Sequence, residues 1–133
     1  MCLIEHPYKT NQTKKEYNIE QIYYMQKLSK NWNSSNALPF TDDAIKQFVN
    51  VVENIIIQPD IAPTVRNSMY FEYRIDNGSL LCFEIKENSV VQTCIPFING
   101  KHNYDLTEEI VFNDNFIKNI NNSLKKYIIK GDN

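Results

Sequence analysis

The sequence predicts an α+β domain: two N-terminal helices, a three- to four-stranded antiparallel meander, and a C-terminal helix packed on the sheet. Three observations carry that expectation. Apolar residues recur at helical spacing before Pro59, alternate with polar ones between Met69 and Phe97, and return to helical spacing after Asn113. A chain ordered helix, helix, strands, helix buries its apolar surface by laying helices on one face of the sheet. With 133 residues, 42% of them hydrophobic and 12% aromatic, it can build one core without disulfide or metal staples. Residues 1–133 therefore read as a single domain, with residues 1–16 as an irregular lead-in.

The first helix is expected from about Tyr17 to Ser29. Asn18 is its N-cap, and Ile19, Ile22, Tyr23 and Met25 or Gln26 fall near one face. A loop of Asn, Ser and Pro follows and holds Trp32, the only tryptophan. The next helix has the strongest pattern. Thr41 caps it, Asp42 and Asp43 sit at the positive end of its dipole, and Ile45, Phe48, Val49, Val52, Ile55 and Ile56 share a face before Pro59 stops it. Phe40, just ahead of the cap, is placed to staple onto Ile45. Trp32 is read as a packing anchor at the same end of the core, not as a binding surface.

The period then falls to two. Met69, Phe71, Tyr73 and Ile75 alternate with Tyr70, Glu72 and Arg74, as in a half-buried strand. Asp76-Asn77-Gly78 signals a hairpin, because Asn and Gly tolerate the positive φ of a tight primed turn. Leu81, Phe83 and Ile85 return on the second strand. Val91, Thr93, Ile95 and Phe97 form a third, after a turn around Glu87-Asn88, and Asn99-Gly100 turns into a fourth from about Tyr104 to Val111. The last helix runs from Asn113 or Asp114 to about Lys130, with Phe116, Ile117, Ile120, Leu124, Tyr127 and Ile128 on one face. Lys125, Lys126 and Lys130 suit its negative end, and Gly131 marks its stop.

Composition narrows the functional classes. A formal net charge of −2 argues against general attraction to phosphate backbones, and three glycines leave little material for a phosphate-cradling loop. Cys2, Cys82 and Cys94 are odd in number, widely spaced and without a CxxC pair, so they are expected to be free thiols in a reducing, cytoplasmic setting. The opening MCLIEHPYKT holds only a four-residue apolar run, too short for a signal peptide, and no stretch approaches the ~18 apolar residues of a membrane span. Arginine occurs only at positions 66 and 74 while Asn, Ile and Lys abound, the usage of an AT-rich prokaryote or phage.

Catalytic and metal-binding chemistry has thin support. His6 and His102 lack sequence neighbours that would orient them, so both read as surface histidines, and neither a metal site nor a cofactor is expected. Ser, Thr and Cys are plentiful, but no nucleophile elbow or Cys–His framework surrounds them. Asp42-Asp43 are explained by a helix start, and Glu108-Glu109 by a solvated strand end or turn.

The central hairpin offers more. Glu72, Arg74, Glu84 and Lys86 occupy alternate positions opposite an apolar set, with Tyr70 among them. A solvated, salt-bridged face is the plain reading. The functional reading is a protein-binding face of Tyr70, Glu72, Arg74, Glu84 and Lys86. Two alternatives stand beside it: a small hydrolase or nuclease using Glu72, Glu84 and a distant His102, and a nucleic-acid-binding face on the last helix. The latter would use Lys118, Lys125, Lys126 and Lys130 with Asn115, Asn119, Asn121 and Asn122.

Asn31-Trp32, Ala37, Pro39 and Ala44-Ile45, followed by Pro59, Ile61-Ala62-Pro63-Thr64 and the strand Met69 to Tyr73, form a recognisable tract. It resembles a family of short uncharacterised prokaryotic proteins with an N-W-D-x-x-G-A-x-P segment, an apolar helix, an S-P-T link and an L-E-W-type strand. The resemblance covers about Leu28 to Lys86. Asn33 departs from the family's Asp, Ser35-Asn36 from a Tyr-Gly type pair, and Tyr73 from a second tryptophan. The resemblance implies a shared helix–hairpin core with Trp32 packed under the helix start, and carries no activity with it. The combined expectation is a non-enzymatic, antitoxin-like or defence-inhibitor-like protein that binds a protein partner, with a homodimer as one arrangement.

Overall fold

The computed structural model describes residues 10–28, 39–75, 78–102, 106–110 and 112–127. Three helices, α1 (Asn11–Gln26), α2 (Asp42–Asn54) and α3 (Phe116–Tyr127), accompany strands β1 (Asp60–Pro63), β2 (Met69–Arg74), β3 (Leu80–Ile85), β4 (Val90–Ile95), β5 (Phe97–Ile98), β6 (Lys101–His102) and β7 (Leu106–Ile110). The α+β class and the antiparallel meander are as expected, but the main sheet has five strands, not three or four, in the order β1-β2-β3-β4-β7. The unexpected strand is β1, inside the proline-rich link. Four residues ending at Pro63 give too short an alternation to register, and a proline is tolerated because β1 lies at the edge.

The first helix starts earlier than the sequence suggested. Thr10, not Asn18, is the N-cap, its hydroxyl accepting from the Thr13 N–H at 3.0 Å, so positions 11–16 are helical rather than an irregular lead-in. Apolar periodicity is blind to this half because the buried stripe of α1 reads Lys14, Asn18, Ile22, Met25. Tyr23, expected near the buried face, is 49% exposed.

The second helix begins as expected, with Thr41 Oγ1 accepting from the Ala44 N–H at 3.1 Å. Phe40 is buried in the same cluster as Ile45, and its ring stands edge-on to Phe48 at 5.9 Å. The helix ends at Asn54, ahead of Pro59, because Ile55 is extended. Asn121 of α3 helps to hold that exit: its Oδ1 accepts from the Ile56 N–H at 2.9 Å and its Nδ2 donates to Asn54 O at 3.0 Å.

The hairpin connections differ from expectation at one point. Ile75 N donates to Ser79 O at 2.9 Å, which makes the β2–β3 connection three residues long, with Gly78 at φ +89°. The two-residue primed turn is instead at Asn99-Gly100, where φ is +54° and +78°. That turn joins β5 to β6, a separate two-stranded ladder, before the chain reaches the expected last strand as β7.

All three helices contribute to one core, with Ile22 from α1, Phe48 from α2 and Ile120 and Leu124 from α3 fully buried beside Phe71, Tyr73, Leu81 and Phe83 of the sheet. Trp32, Cys2, His6, Tyr104, Ile128, Lys130 and the Asp76-Asn77 pair lie outside the described residues. Among the described residues, no helix is long and apolar enough to cross a membrane.

Candidate binding surface

The sheet register sorts the strand residues onto two faces. Met69, Phe71 and Tyr73 of β2 and Leu81, Phe83 and Ile85 of β3 face the helices and are buried. The alternate residues form cross-strand rows on the other face. One row runs Ala62, Tyr70, Glu84, Val91, Glu109; the next runs Asp60, Glu72, Cys82, Thr93, Thr107; the last runs Arg74, Leu80, Ile95. The sequence-nominated Tyr70, Glu72, Arg74 and Glu84 therefore share this outer face. Lys86 follows β3 directly, where its N–H donates to Ser89 O at 2.9 Å and closes the turn into β4.

The two halves of the face differ in chemistry. On β3 and β4 it presents Leu80, Val91, Thr93 and Ile95, all partly buried, and it leads to β5, where Phe97 and Ile98 are 38% and 53% exposed. On β1 and β2 it presents charge. Arg74 Nε lies 3.9 Å from Glu72 Oε2, a long contact, with the Arg74 side chain exposed and that of Glu72 partly so, and the pair adds little to stability.

Glu84 is held more firmly. Its Oε2 accepts from Ser68 Oγ at 2.6 Å and from Arg66 Nε at 3.1 Å, with the side chain only 16% exposed. Burial pushes its carboxyl pKa up, but those hydrogen bonds and the charges of Arg66 and Lys86 outweigh burial and leave it below the usual value. Thr64 completes the arrangement, its hydroxyl hydrogen-bonded to Ser68 and accepting from the Arg66 N–H. Sequence reasoning missed Thr64, Arg66 and Ser68 because they form the β1–β2 turn, which exists only once β1 is seen as a strand.

The alternatives fare differently. A carboxylate kept ionised by Arg66 and Ser68 is a poor general acid, and His102 belongs to the separate β5–β6 ladder, its backbone in register with Phe97. Among the described residues, no group of three His, Cys, Asp or Glu side chains is placed to hold a metal ion. Neither Cys82 nor Cys94 is in a disulfide, and they lie on opposite faces of the sheet, by their registers with Thr93 and Leu81. Burial raises the Cys94 pKa, away from a reactive thiolate. On α3, Lys118, Lys125 and Lys126 are exposed, but Asn121 turns inward to hold the exit from α2.

Compared with family models, curated proteins and solved structures, the chain matches none.

Proposed function

We propose that this protein acts by binding a protein partner through the outer face of its five-stranded sheet, as antitoxins and inhibitors of other proteins do. The observation behind this reading is the one-sided construction of the domain. Its helices contribute to the core on one side, while the outer face carries Leu80, Val91 and Ile95 beside Tyr70, Glu72, Arg74 and Glu84. An apolar strip flanked by polar and charged groups is the anatomy of a protein interface.

Charge selects the kind of partner. Asp60, Glu72, Glu84 and Glu109 offset Arg66, Arg74 and Lys86 around the face, leaving no positive excess to hold a polyanion. A protein surface with an apolar centre and charges of both signs at its rim fits these groups.

A photo-crosslinking residue at Thr93, compared with one at Lys46 on the exposed side of α2, tests this reading. The captured partner is then purified and titrated against the unmodified protein. Crosslinking at position 93 and saturable binding of the purified protein are expected. Capture only from position 46, or of nucleic acid, would overturn the reading, and a crosslinked pair of this same chain would replace the foreign partner with a homodimer.

A further inference from the structure

The first two turns of α1 are attached to the rest of the molecule in an unusual way. Within residues 11–18 the buried side chains are Lys14, 5% exposed, and Asn18, 1% exposed; the first fully buried apolar side chain of the helix is Ile22. Asn18 Nδ2 donates to Gln58 Oε1 and to Pro59 O, both at 3.1 Å. Lys14 Nζ pairs with Asp60 Oδ1 at 3.0 Å. Asn11 accepts from the Gln58 N–H at 2.8 Å and donates to Ile56 O at 3.1 Å, while Lys15 Nζ donates to Glu53 O at 3.3 Å. All these contacts fall on residues 53–60, which carry the chain out of α2 and into β1.

That crossover has other supports. Asn121 binds Ile56 and Asn54, Tyr73 Oη donates to Ile57 O at 2.6 Å, and Gln58 Nε2 donates to Val52 O at 2.8 Å. It can keep its place without α1. The start of α1, in turn, has little helical strength of its own. Its first turn holds no acidic residue, Lys14 and Lys15 lie near the positive end of the dipole, and Asn11, Thr13 and Asn18 are weak helix formers.

Opening this half of the helix exchanges protein hydrogen bonds for water, a change of small net free energy per bond. Opening the second half would bare Ile22 and Met25, at a hydrophobic cost larger than that of the first half, which bares chiefly the Lys14 stem and part of Tyr17. We infer that residues 10–18 form a strap that opens from the Ile55–Asp60 crossover independently of the remaining fold, with its hinge ahead of Ile22. Opening withdraws Lys14 from Asp60, which stands in register with Glu72, and so makes that margin of the outer face more acidic.

Native-state hydrogen exchange on the full chain, followed by NMR, reads the strap without any partner. The amides of residues 15–18 should exchange at least about tenfold faster than those of Ile22–Met25 and of Val51 and Val52 in α2. In Asn18→Ala, exchange at 15–18 should accelerate about tenfold more, while α2 and β3 keep their protection. Equal protection along the whole of α1 would overturn the strap. So would an Asn18→Ala variant that loses protection in α2 and β3 together with α1, or that fails to fold.

Discussion

Tyr73 on β2 reaches through the core to bond the carbonyl of Ile57, 2.6 Å away, on the crossover from α2 to β1. The side chain is fully buried, and its ring stands edge-on to Phe83 at 6.2 Å. Burial raises the phenol pKa well above its usual value, which keeps the hydroxyl a donor. Tyr73→Phe should therefore lower unfolding free energy by about 1–2 kcal/mol in urea titrations, with the fold intact. A raised folded pKa stabilises below the unfolded value of 10.0 and loses that benefit as pH rises past it, so the Phe variant should lack this alkaline loss. An unchanged urea midpoint would show that the bond contributes nothing net.

Gly78 and Gly100 both have positive φ, at +89° and +78°, but their surroundings differ. A Cβ on Gly78 would lie 2.9 Å from Phe97 Cδ2, whereas Gly100 has open space. Gly100→Ala should cost about 1 kcal/mol, from backbone strain alone. Gly78→Ala should cost about 1–3 kcal/mol, and adding Phe97→Ala should recover the steric part but not the strain. Thermal melts of the two single variants and the double variant check the order, and equal losses for both glycines would contradict it.

Glu84 ties acid stability to the β1–β2 turn. Its pKa is lowered in the folded state, so its contribution is present in full above the ordinary value of 4.5 and is lost as pH falls through the folded value. In Glu84→Gln the melting temperature should depend less on pH in the acid range below about 4.5, with the largest deficit relative to wild type near neutrality. Parallel acid profiles for the two proteins would remove Glu84 from the account of acid stability.

Arg74 and Lys86 separate stability from binding. The Arg74 side chain is 66% exposed and its pair with Glu72 is long. Lys86 acts on Glu84 through its charge, the smallest of the influences there. Reversing both cations to Glu should therefore shift the melting temperature by no more than about 2–4 °C. At an interface the same reversal should cost several kcal/mol of affinity. Lys125→Glu with Lys126→Glu, on the exposed last turn of α3, is the control. Affinity lost only in the control would move binding to α3 and restore the nucleic-acid alternative, while no loss in either would leave the outer face as ordinary solvated surface.

Periodicity alone reveals α2, α3, β2 and β3, because each has enough apolar residues at one period to define a buried face; in β4 the alternating Val91, Thr93 and Ile95 lie on the outer face, and Val90 and Gln92 are the buried residues. Periodicity also places Tyr70, Glu72, Arg74 and Glu84 on a common face, since alternation along two paired strands requires it. Long-range contacts supply the local chemistry that has no periodicity of its own. Lys14 and Asn18 are buried in α1 because Asp60, Gln58 and Pro59, some forty residues onward, satisfy them. The edge strand β1 exists because Met69 to Glu72 of β2 supply its backbone partners, against the proline signal of its own sequence. Glu84 is held ionised because that pairing brings Arg66 and Ser68 to it. Periodicity records only which positions lose water to apolar neighbours; a buried polar group depends on partners that only the fold brings within hydrogen-bonding distance.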